Sequence, residues 1–307
     1  MNISPDYLIE RKRNKSHLAR WKLISIGLIG LMILGGGGLL LGKKNINKKS
    51  FSTDSEYIAS IKIDDMILDD MDRVRRIDSL AKDKDIKAVI VHVNSPGGSV
   101  VGSEMLYNSL RKLSVEKPVV VVMESVAASG GYLAALAGDY VIAHNGTITG
   151  SIGVIMQTPE ITKLAEKLGI KFNSFKSGEL KANPNPMEEL TEEAREATMD
   201  SIHDVYNYFI EIVAKRRKLK PKDVKILADG RIYSGRQALK LKLIDAIGDE
   251  DTAIEWLWKN KGISENIEVV DVRLKKREKL LDILLEDLQG SISSFFTTSF
   301  KGLKSMI

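Results

Sequence analysis

The sequence predicts an α/β domain that follows a single hydrophobic membrane segment. Two short runs at 86–93 and 118–123 are β-branched and nearly continuously apolar, as expected of strands buried on both faces of a parallel sheet. A third run, 57–63, alternates apolar and polar residues as a half-buried strand does. Helical patterns lie between these runs, which gives the order β-α-β-α-β and predicts the α/β class.

Composition and charge exclude several classes of protein. The 307 residues, 43% hydrophobic and 28% charged, can fill the core of one large domain or two small ones. The net charge of +5 is unevenly distributed, because residues 1–50 carry +8 and the remaining chain carries −3. This pattern indicates membrane topology and argues against a nucleic-acid partner. The absence of cysteine excludes disulfides, zinc–thiolate sites, cysteine nucleophiles and a lipidated cysteine anchor.

Residues 23–42 form an uncharged stretch of twenty residues, and a helix of that length spans about 30 Å of hydrocarbon. Six basic residues precede the stretch and four follow it, so we expect residues 1–22 to be cytoplasmic and the rest to lie across the membrane. A cleaved signal peptide is the alternative. The apolar run is longer than the hydrophobic region of a typical signal peptide, and no small-x-small cleavage site follows it. A signal anchor is therefore favoured. Residues 43–56 are polar and predict a linker.

The soluble domain is expected to cover 57–273. Further predicted elements are helices near 68–82, 101–113 and 130–138 and strands at 139–143, 152–157, 171–175 and 267–273. Thr191 is predicted to cap a helix that runs to about Arg217, and Ser234 with Gln237 has capping-box spacing. The tail, 274–307, is amphipathic and predicts a helical extension. It is compatible with an oligomer arm, a membrane-surface helix or an ordinary packing helix.

Two glycine-rich turns follow the strand-like runs, at 94–98 (NSPGG) and 127–131 (AASGG). In a parallel α/β sheet, the loops at the carboxyl ends of the strands form the ligand crevice. Ser129, flanked by small residues where a strand gives way to a helix, is well placed to expose its hydroxyl. The N–H groups of that helix would face any oxyanion formed there. Each turn alone is compatible with a purely structural role, and only their combination favours a serine nucleophile.

A serine nucleophile needs a base, and the four histidines do not supply one. His17 precedes the membrane segment, His92 lies inside a strand, His144 follows a short strand and His203 lies in the middle of a helix. A Ser-His-Asp triad is therefore unsupported, and the Ser-Lys variant of the chemistry remains.

A lysine base must be neutral, which requires a pKa lowered from ~10.4 to about 8 by enclosure in an apolar pocket. Lys181 is the leading candidate, because glycine and prolines give the loop 176–190 a defined shape. Lys176 is the competing candidate. For either, a solvated surface lysine is the ordinary alternative.

At these residues the chain resembles the signal peptide peptidase A family of bacterial membrane serine peptidases. The resemblance extends over about residues 57–255. Its matching segments are VNSPGGSV at 93–100, the run at 125–155 that contains AASGG and TGSIG, KSGELKANPNP at 176–186 and ADGRIYSGRQALKLKLIDAIG at 228–248.

The resemblance implies a Clp- and crotonase-like fold of repeated β-β-α units. It implies Ser129 as nucleophile, Lys181 as general base and Ser151 as the hydroxyl that orients the lysine amine. Gly98 and Gly130 would supply the oxyanion-hole amides.

The same resemblance implies a homo-oligomer whose serine and lysine come from neighbouring subunits, without a metal or cofactor. Its substrates would be apolar peptides such as signal-peptide remnants. Its place would be the bacterial inner membrane, with the peptidase domain on the periplasmic side. Two other functions remain open: a crotonase-type enzyme acting on acyl thioesters, and a non-catalytic membrane scaffold.

Overall fold

A computed structural model describes residues 56–274, which contain an eight-stranded sheet. The strands are β1 (Tyr57–Asp64), β2 (Ile86–Ser95), β3 (Val119–Ala128), β4 (Tyr140–Ala143), β5 (Ile148–Gly150), β6 (Ile232–Ser234), β7 (Ala246–Ile247) and β8 (Glu268–Asp271). The helices are α1 (Met71–Lys82), α2 (Val100–Glu116), α3 (Gly130–Ala135), α4 (Thr162–Lys167), α5 (Glu192–Arg217), α6 (Pro221–Leu227), α7 (Gly235–Lys240) and α8 (Glu250–Lys261). The predicted α/β class is confirmed.

The strand order is β6-β5-β3-β2-β1-β8, and every pair along it is parallel except β5–β6. Ile61 of β1 lies opposite Val91 of β2, which lies opposite Val121 of β3. All three side chains are buried. Continuous β-branched runs therefore form the centre of the sheet, as the sequence predicts for strands covered on both faces.

Helices cover both faces of the sheet. One face packs against α1, α2, α3 and α5, whose buried side chains include Ile77, Leu110, Leu133 and Val213. The opposite face packs against α8 and forms a smaller core around Ile90, Val122, Leu257 and their neighbours. The described part of the chain is thus a three-layer arrangement with the sheet in the middle.

Strand β3 is longer than the predicted run 118–123, and its two halves have different partners on one side. Residues Val120–Met123 pair with β4, whereas residues Val126–Ala128 pair with β5. A register irregularity in the β2–β3 ladder lies between Val93 and Ser95, at the same level. The sheet therefore branches here, and the carboxyl ends of β2, β3 and β5 come together at one edge.

Two predicted helix starts are confirmed by their caps. The Thr191 side chain accepts a hydrogen bond from the Ala194 N–H at the start of α5. Ser234 and Gln237 form a complete capping box at the start of α7. Local side-chain chemistry alone determines these starts, which is why the sequence predicts them well.

Two predicted strands are wrong. Residues 152–157 and 171–175 form no strand, and the strand in this region is β5 at Ile148–Gly150. Only Ile152 of the first run is buried, whereas Ile155 is 81% exposed and Phe175 in the second run is 97% exposed. The apolar character of these runs is real, but no neighbouring strand pairs with them among residues 56–274.

The predicted membrane segment 23–42 and the tail from 275 onward lie outside the described residues. Within 56–274, no helix is long and apolar enough to cross a membrane.

Helix α3 is fixed in the core by Tyr132. This side chain is fully buried, and its hydroxyl donates a 2.8 Å hydrogen bond to the Leu243 carbonyl. Burial raises the pKa of the Tyr132 phenol, so the side chain stays neutral and remains a donor. The carbonyls of Leu136 and Gly138, just beyond α3, accept hydrogen bonds of 2.7 and 2.6 Å from Arg216 of α5. The short helix is therefore anchored at several points.

Replacing Tyr132 by phenylalanine is expected to lower the free energy of unfolding by about 1–3 kcal/mol, because a buried carbonyl loses its donor. Urea denaturation of the purified protein measures this. Tyr140→Phe is the matched control. Its ring stacks on Trp256 with centroids 4.9 Å apart, and its hydroxyl bonds to no other group in the range 56–274. We expect it to change stability by less than about 0.5 kcal/mol. Equal effects of the two substitutions would contradict the anchoring role of the Tyr132 hydroxyl.

Candidate active site

The pairing of β3 with β5 places Ser129 and Ser151 side by side. Ala128 lies opposite Gly150 in this parallel ladder, and each serine is the next residue of its chain. The Ser129 N–H donates to the Gly150 carbonyl at 2.9 Å, which extends the ladder by one hydrogen bond. The Ser151 N–H donates to the Arg231 carbonyl at 2.8 Å. Both serines are therefore held by their backbones at the edge where the sheet branches.

Ser129 has a strained backbone conformation. Its φ of 53° and ψ of −120° lie outside the regions that residues with a Cβ ordinarily occupy. Ser151 also has a positive φ, of 48°. Such strain costs of order 1–3 kcal/mol and persists only where the surrounding structure imposes it, which is common at catalytic sites. A serine forced into a sharp turn between a strand and a helix presents its hydroxyl outward, as a nucleophile requires.

The turn after β2 packs directly against the turn that carries Ser129. Gly97 has a φ of 104°, and a Cβ there would lie 2.7 Å from the Gly130 nitrogen and 3.0 Å from the Ser129 Cβ. A Cβ on Gly98 would overlap the Ile67 carbonyl. Ile67 is hydrogen-bonded to both sides of Gly98, to the Gly97 carbonyl and the Ser99 N–H, each at 2.9 Å. Only glycine fits at these two positions.

The backbone N–H groups of Gly98 and Gly130 are among those at these turns that have no hydrogen-bond acceptor within residues 56–274. The first lies in the tightly held turn, and the second is the first residue of α3. Free N–H groups next to a serine are the elements from which an oxyanion hole is made.

A cavity of about 530 Å³ opens beside Ser129. Its wall includes four of the predicted site residues, Ser129, Ser151, Gly98 and Gly130. Most of the remaining wall is apolar and includes Val100, Leu133, Val154, Ile155, Met199, Ile202, Tyr206 and Phe209. The structure therefore brings the predicted nucleophile, its neighbouring serine and both glycines together around one apolar cavity.

Ser103, which was not predicted from the sequence, also lines this cavity. It is 3% exposed, and its hydroxyl is buried without a hydrogen-bond partner in the described structure. A Cβ on Gly130 would collide with the Ser103 Oγ. The small hydroxyl of Ser103 on α2 therefore limits residue 130 to glycine.

The two candidate lysines have different surroundings. Lys176 forms an ion pair with Glu188 and lies 3.5 Å from the Asn183 side-chain oxygen. Its hydrogen bond to Glu188 holds the pKa of that carboxyl below its usual range. A lysine that is bound as a cation to a carboxylate is a poor general base, so the ion pair argues against Lys176.

Lys181 is exposed and forms no ion pair with any residue between 56 and 274. It is not among the residues that line the cavity of the same chain. A single chain therefore assembles the serine half of the predicted site and does not bring Lys181 to it.

One histidine lies where the sequence analysis did not place it. His203 of α5 lines the cavity, within a stripe formed by Met199, Ile202, His203 and Tyr206. The i, i+3, i+4, i+7 spacing of these four residues places them on one face of the helix, and this pattern in the sequence could have indicated their shared location. His203 has no hydrogen bond to Ser129 or to a carboxylate in the described part of the chain, so no triad is formed.

His92 has a different environment. Its two ring nitrogens lie 2.7 Å from Glu124 and 2.8 Å from Glu250, on the sheet face covered by α8. Both nitrogens are thus occupied away from the cavity. Between residues 56 and 274, no cluster of three or more His, Asp or Glu residues is arranged to hold a metal ion, and this includes the group around His92.

Known proteins are similar to this chain in sequence. The sequence profile of Peptidase family S49 matches residues 111–264, half of the chain. A Methanocaldococcus jannaschii protein provisionally named a protease is 37% identical over 210 residues, which cover 68% of this chain and 67% of the relative. An Enterococcus faecium protein provisionally named signal peptide peptidase SppA is 31% identical over 264 residues, 86% of this chain and 69% of the relative.

Serine protease SPPA, chloroplastic, of Arabidopsis thaliana is 32% identical over 234 residues, which cover 75% of this chain and 34% of the plant protein. The matched profile includes both the strained serine turn and the loop with Lys181. The chain therefore belongs to peptidase family S49, among the signal peptide peptidase A proteins, and it is a serine peptidase.

Proposed function

We propose that this serine peptidase is a membrane-anchored endopeptidase that cleaves apolar peptides, such as released signal peptides, with a Ser129–Lys181 dyad. The observation that carries the proposal is the strained Ser129 on the wall of an apolar cavity that is also lined by Gly98 and Gly130, whose backbone N–H groups are free within residues 56–274. A Clp- and crotonase-like arrangement of β-β-α units belongs to the same proposal, and the branching of the sheet at β3 is compatible with it.

The proposed reaction has two halves. Neutral Lys181 takes the hydroxyl proton of Ser129 while the Ser129 oxygen attacks the scissile carbonyl. This attack gives a tetrahedral oxyanion. The oxyanion collapses to an ester on Ser129 while the lysine ammonium protonates the departing amine. Water then enters, gives one proton to the lysine and attacks the ester carbonyl. The lysine ammonium returns that proton to the Ser129 oxygen as the acid leaves, which restores the neutral amine and the serine hydroxyl.

In this mechanism the oxyanion accepts hydrogen bonds from the N–H groups of Gly98 and Gly130. Ser151 would orient the lysine amine, because the β3–β5 register holds it beside Ser129. No metal or cofactor takes part in these steps.

Gly98→Ala is expected to lower kcat by about 10²–10³, because the new Cβ overlaps the Ile67 carbonyl and must displace the N–H at residue 98. Hydrolysis of a fluorogenic apolar peptide measures the loss, with circular dichroism as the check on folding. Gly146→Ala is the matched control, since a Cβ there meets no atom within 4 Å. A folded Gly98→Ala protein with the parental kcat would exclude this N–H from the oxyanion hole.

We further propose that Lys181 reaches Ser129 from a neighbouring copy of the chain. The segment 155–190 exposes many large apolar side chains: Ile155, Met156, Leu164, Leu168, Ile170, Phe172, Phe175, Leu180, Met187 and Leu190. A surface this apolar is typical of a protein–protein contact. Contact with a second copy would cover these side chains and enclose Lys181, which gives a lysine base the apolar surroundings it needs.

The shared dyad predicts complementation between two inactive variants. Ser129→Ala and Lys181→Ala should each abolish hydrolysis and leave the assembly intact. A co-expressed one-to-one mixture should regain activity at about a quarter of the sites, because each productive site takes one intact residue from each variant. Peptide hydrolysis by the co-purified mixture measures this.

A serine-directed phosphonate supplies the control, since it should label Ser129 in the wild type and not in Ser129→Ala. Full activity of Lys181→Ala, together with loss of activity in His203→Gln, would assign the base to the histidine instead. An inactive mixture that co-assembles would place the dyad within one chain.

The membrane anchor is proposed from residues 23–42 and their basic flanks. Ile29→Arg with Ile33→Arg should release the protein from membranes under alkaline carbonate, because each arginine at the centre of the span costs about 3 kcal/mol. Ile46→Arg, in the linker, is the control and should leave the protein membrane-bound. Retention of the double variant would contradict a spanning helix.

Orientation can be tested cleanly because the chain contains no cysteine. An impermeant maleimide applied to intact cells should label Ser52→Cys, beyond the span, and should not label Ser4→Cys. The reverse pattern would place the peptidase domain in the cytoplasm.

A further inference from the structure

The apolar cavity beside Ser129 contains one carboxylate without a cation. Besides Tyr206 and Tyr208, three ionisable side chains line the cavity: Glu104, His203 and Asp229. Asp229 is already paired with Arg231, whose Nε lies 2.8 and 2.7 Å from its two carboxylate oxygens. Glu104 forms no ion pair with any residue of 56–274, and no lysine or arginine lines the cavity.

Glu104 is held in place on the cavity wall. It lies on α2, directly after Ser103, the residue that abuts Gly130. The Tyr208 hydroxyl of α5 donates a long hydrogen bond of 3.4 Å to its carboxylate. Burial, followed by the charge of Glu104, raises the pKa of the Tyr208 phenol, so Tyr208 remains a donor. The carboxylate thus has a defined position next to Tyr208 of α5.

The hydrogen-bonding capacity of Glu104 is largely unused. An ionised carboxylate accepts about four hydrogen bonds, and one long neutral contact supplies a small part of this. Glu104 is also half-buried, so bulk water does not fully replace the missing donors. An ammonium or guanidinium group entering the cavity would form charge-assisted hydrogen bonds with it.

The rest of the cavity wall is suited to contact the aliphatic part of a lysine or arginine side chain. Leu133, Met199, Ile202 and Phe209 present hydrocarbon to the cavity. Lysine and arginine bury their methylene stems against apolar surface and extend the charged head to a polar partner. A purely aliphatic substrate residue would fill the same space but would leave Glu104 without a cation.

We infer that Glu104 makes this cavity select a substrate residue with an aliphatic stem and a cationic head, lysine or arginine, next to otherwise apolar residues. The inference rests on the proposed peptidase function and defines its substrate class more narrowly. Glu104 acts as a specificity-determining residue: its carboxylate binds the substrate cation and takes no part in proton transfer at Ser129.

The test compares lysine with norleucine, which has a similar stem and no ammonium group. Full-length protein in detergent is given acetylated fluorogenic peptides in which either residue is placed, in turn, at each of the four positions before the cleaved bond. Acetylation removes the α-amino group as a second source of positive charge. At one of these positions we expect the wild type to favour lysine by about tenfold in kcat/KM.

Glu104→Gln keeps an acceptor for Tyr208 and removes the charge, so the lysine preference should fall about tenfold while norleucine peptides are still cleaved. Tyr208→Phe should weaken the preference by a smaller factor, because the carboxylate loses its tether. Glu116→Gln, at the exposed far end of α2, is the matched control and should keep the wild-type ratio.

The outcomes separate the inference from the function on which it rests. A wild type that cleaves norleucine peptides at least as fast as lysine peptides at every position overturns the inference and leaves the peptidase proposal standing. A Glu104→Gln protein that loses activity on both peptides equally also overturns it, since that result indicates a purely structural role. Absence of cleavage of either series by the wild type counts against the proposed function itself.

Discussion

The register of β3 between β2 and β5 is the constraint on which the site depends. Ser95 lies opposite Ala127, and Ala128 lies opposite Gly150, so three chain segments leave the sheet at one level. The turn at Gly97 and Gly98, the start of α3 and the turn at Ser151 therefore meet, and side chains add to the backbone ladders: the Ser95 hydroxyl accepts from the Gly97 N–H, and the Thr149 hydroxyl donates to the Ala127 carbonyl. A shift of one residue in either ladder would turn alternate side chains to the opposite face and separate the serines. Precise geometry here comes from backbone hydrogen bonds, the least adjustable contacts in the fold.

The parts of the fold that depend on local chemistry could be predicted from the sequence. The central β-branched strands, the Thr191 cap and the Ser234 capping box each follow from a few neighbouring residues. The wrong strands at 152–157 and 171–175 show the limit of this reasoning. Their apolar residues have strand-like spacing, yet a strand forms only where a partner strand is available, and pairing is a non-local property.

The candidate site, like the fold, was predicted from the sequence only where local residues determine it. Ser129 and the two glycines belong to turns whose small residues indicate close packing, and the structure places them together. Glu104 and His203 escaped prediction because they lie within long helices. Only the packing of α2 against α5 decides which helical side chains face the cavity. Ser103 was missed for a related reason, since a buried serine in a helix is usually a packing residue.

The proposed sharing of the catalytic dyad between two copies of the chain has a physical consequence for control of the enzyme. The nucleophile and the proposed oxyanion-hole donors of a single chain are fixed by its backbone, through the positive φ of Ser129 and the hydrogen bond from its N–H to the Gly150 carbonyl. The proposed base is the exception, because it lies on the segment with the most exposed apolar surface. A lysine in water is protonated and cannot accept the serine proton. If contact with a second copy both covers this surface and removes water from the amine, assembly and activation become one event. An isolated chain, including one still emerging during synthesis, would then carry a complete nucleophile and oxyanion hole without a working base.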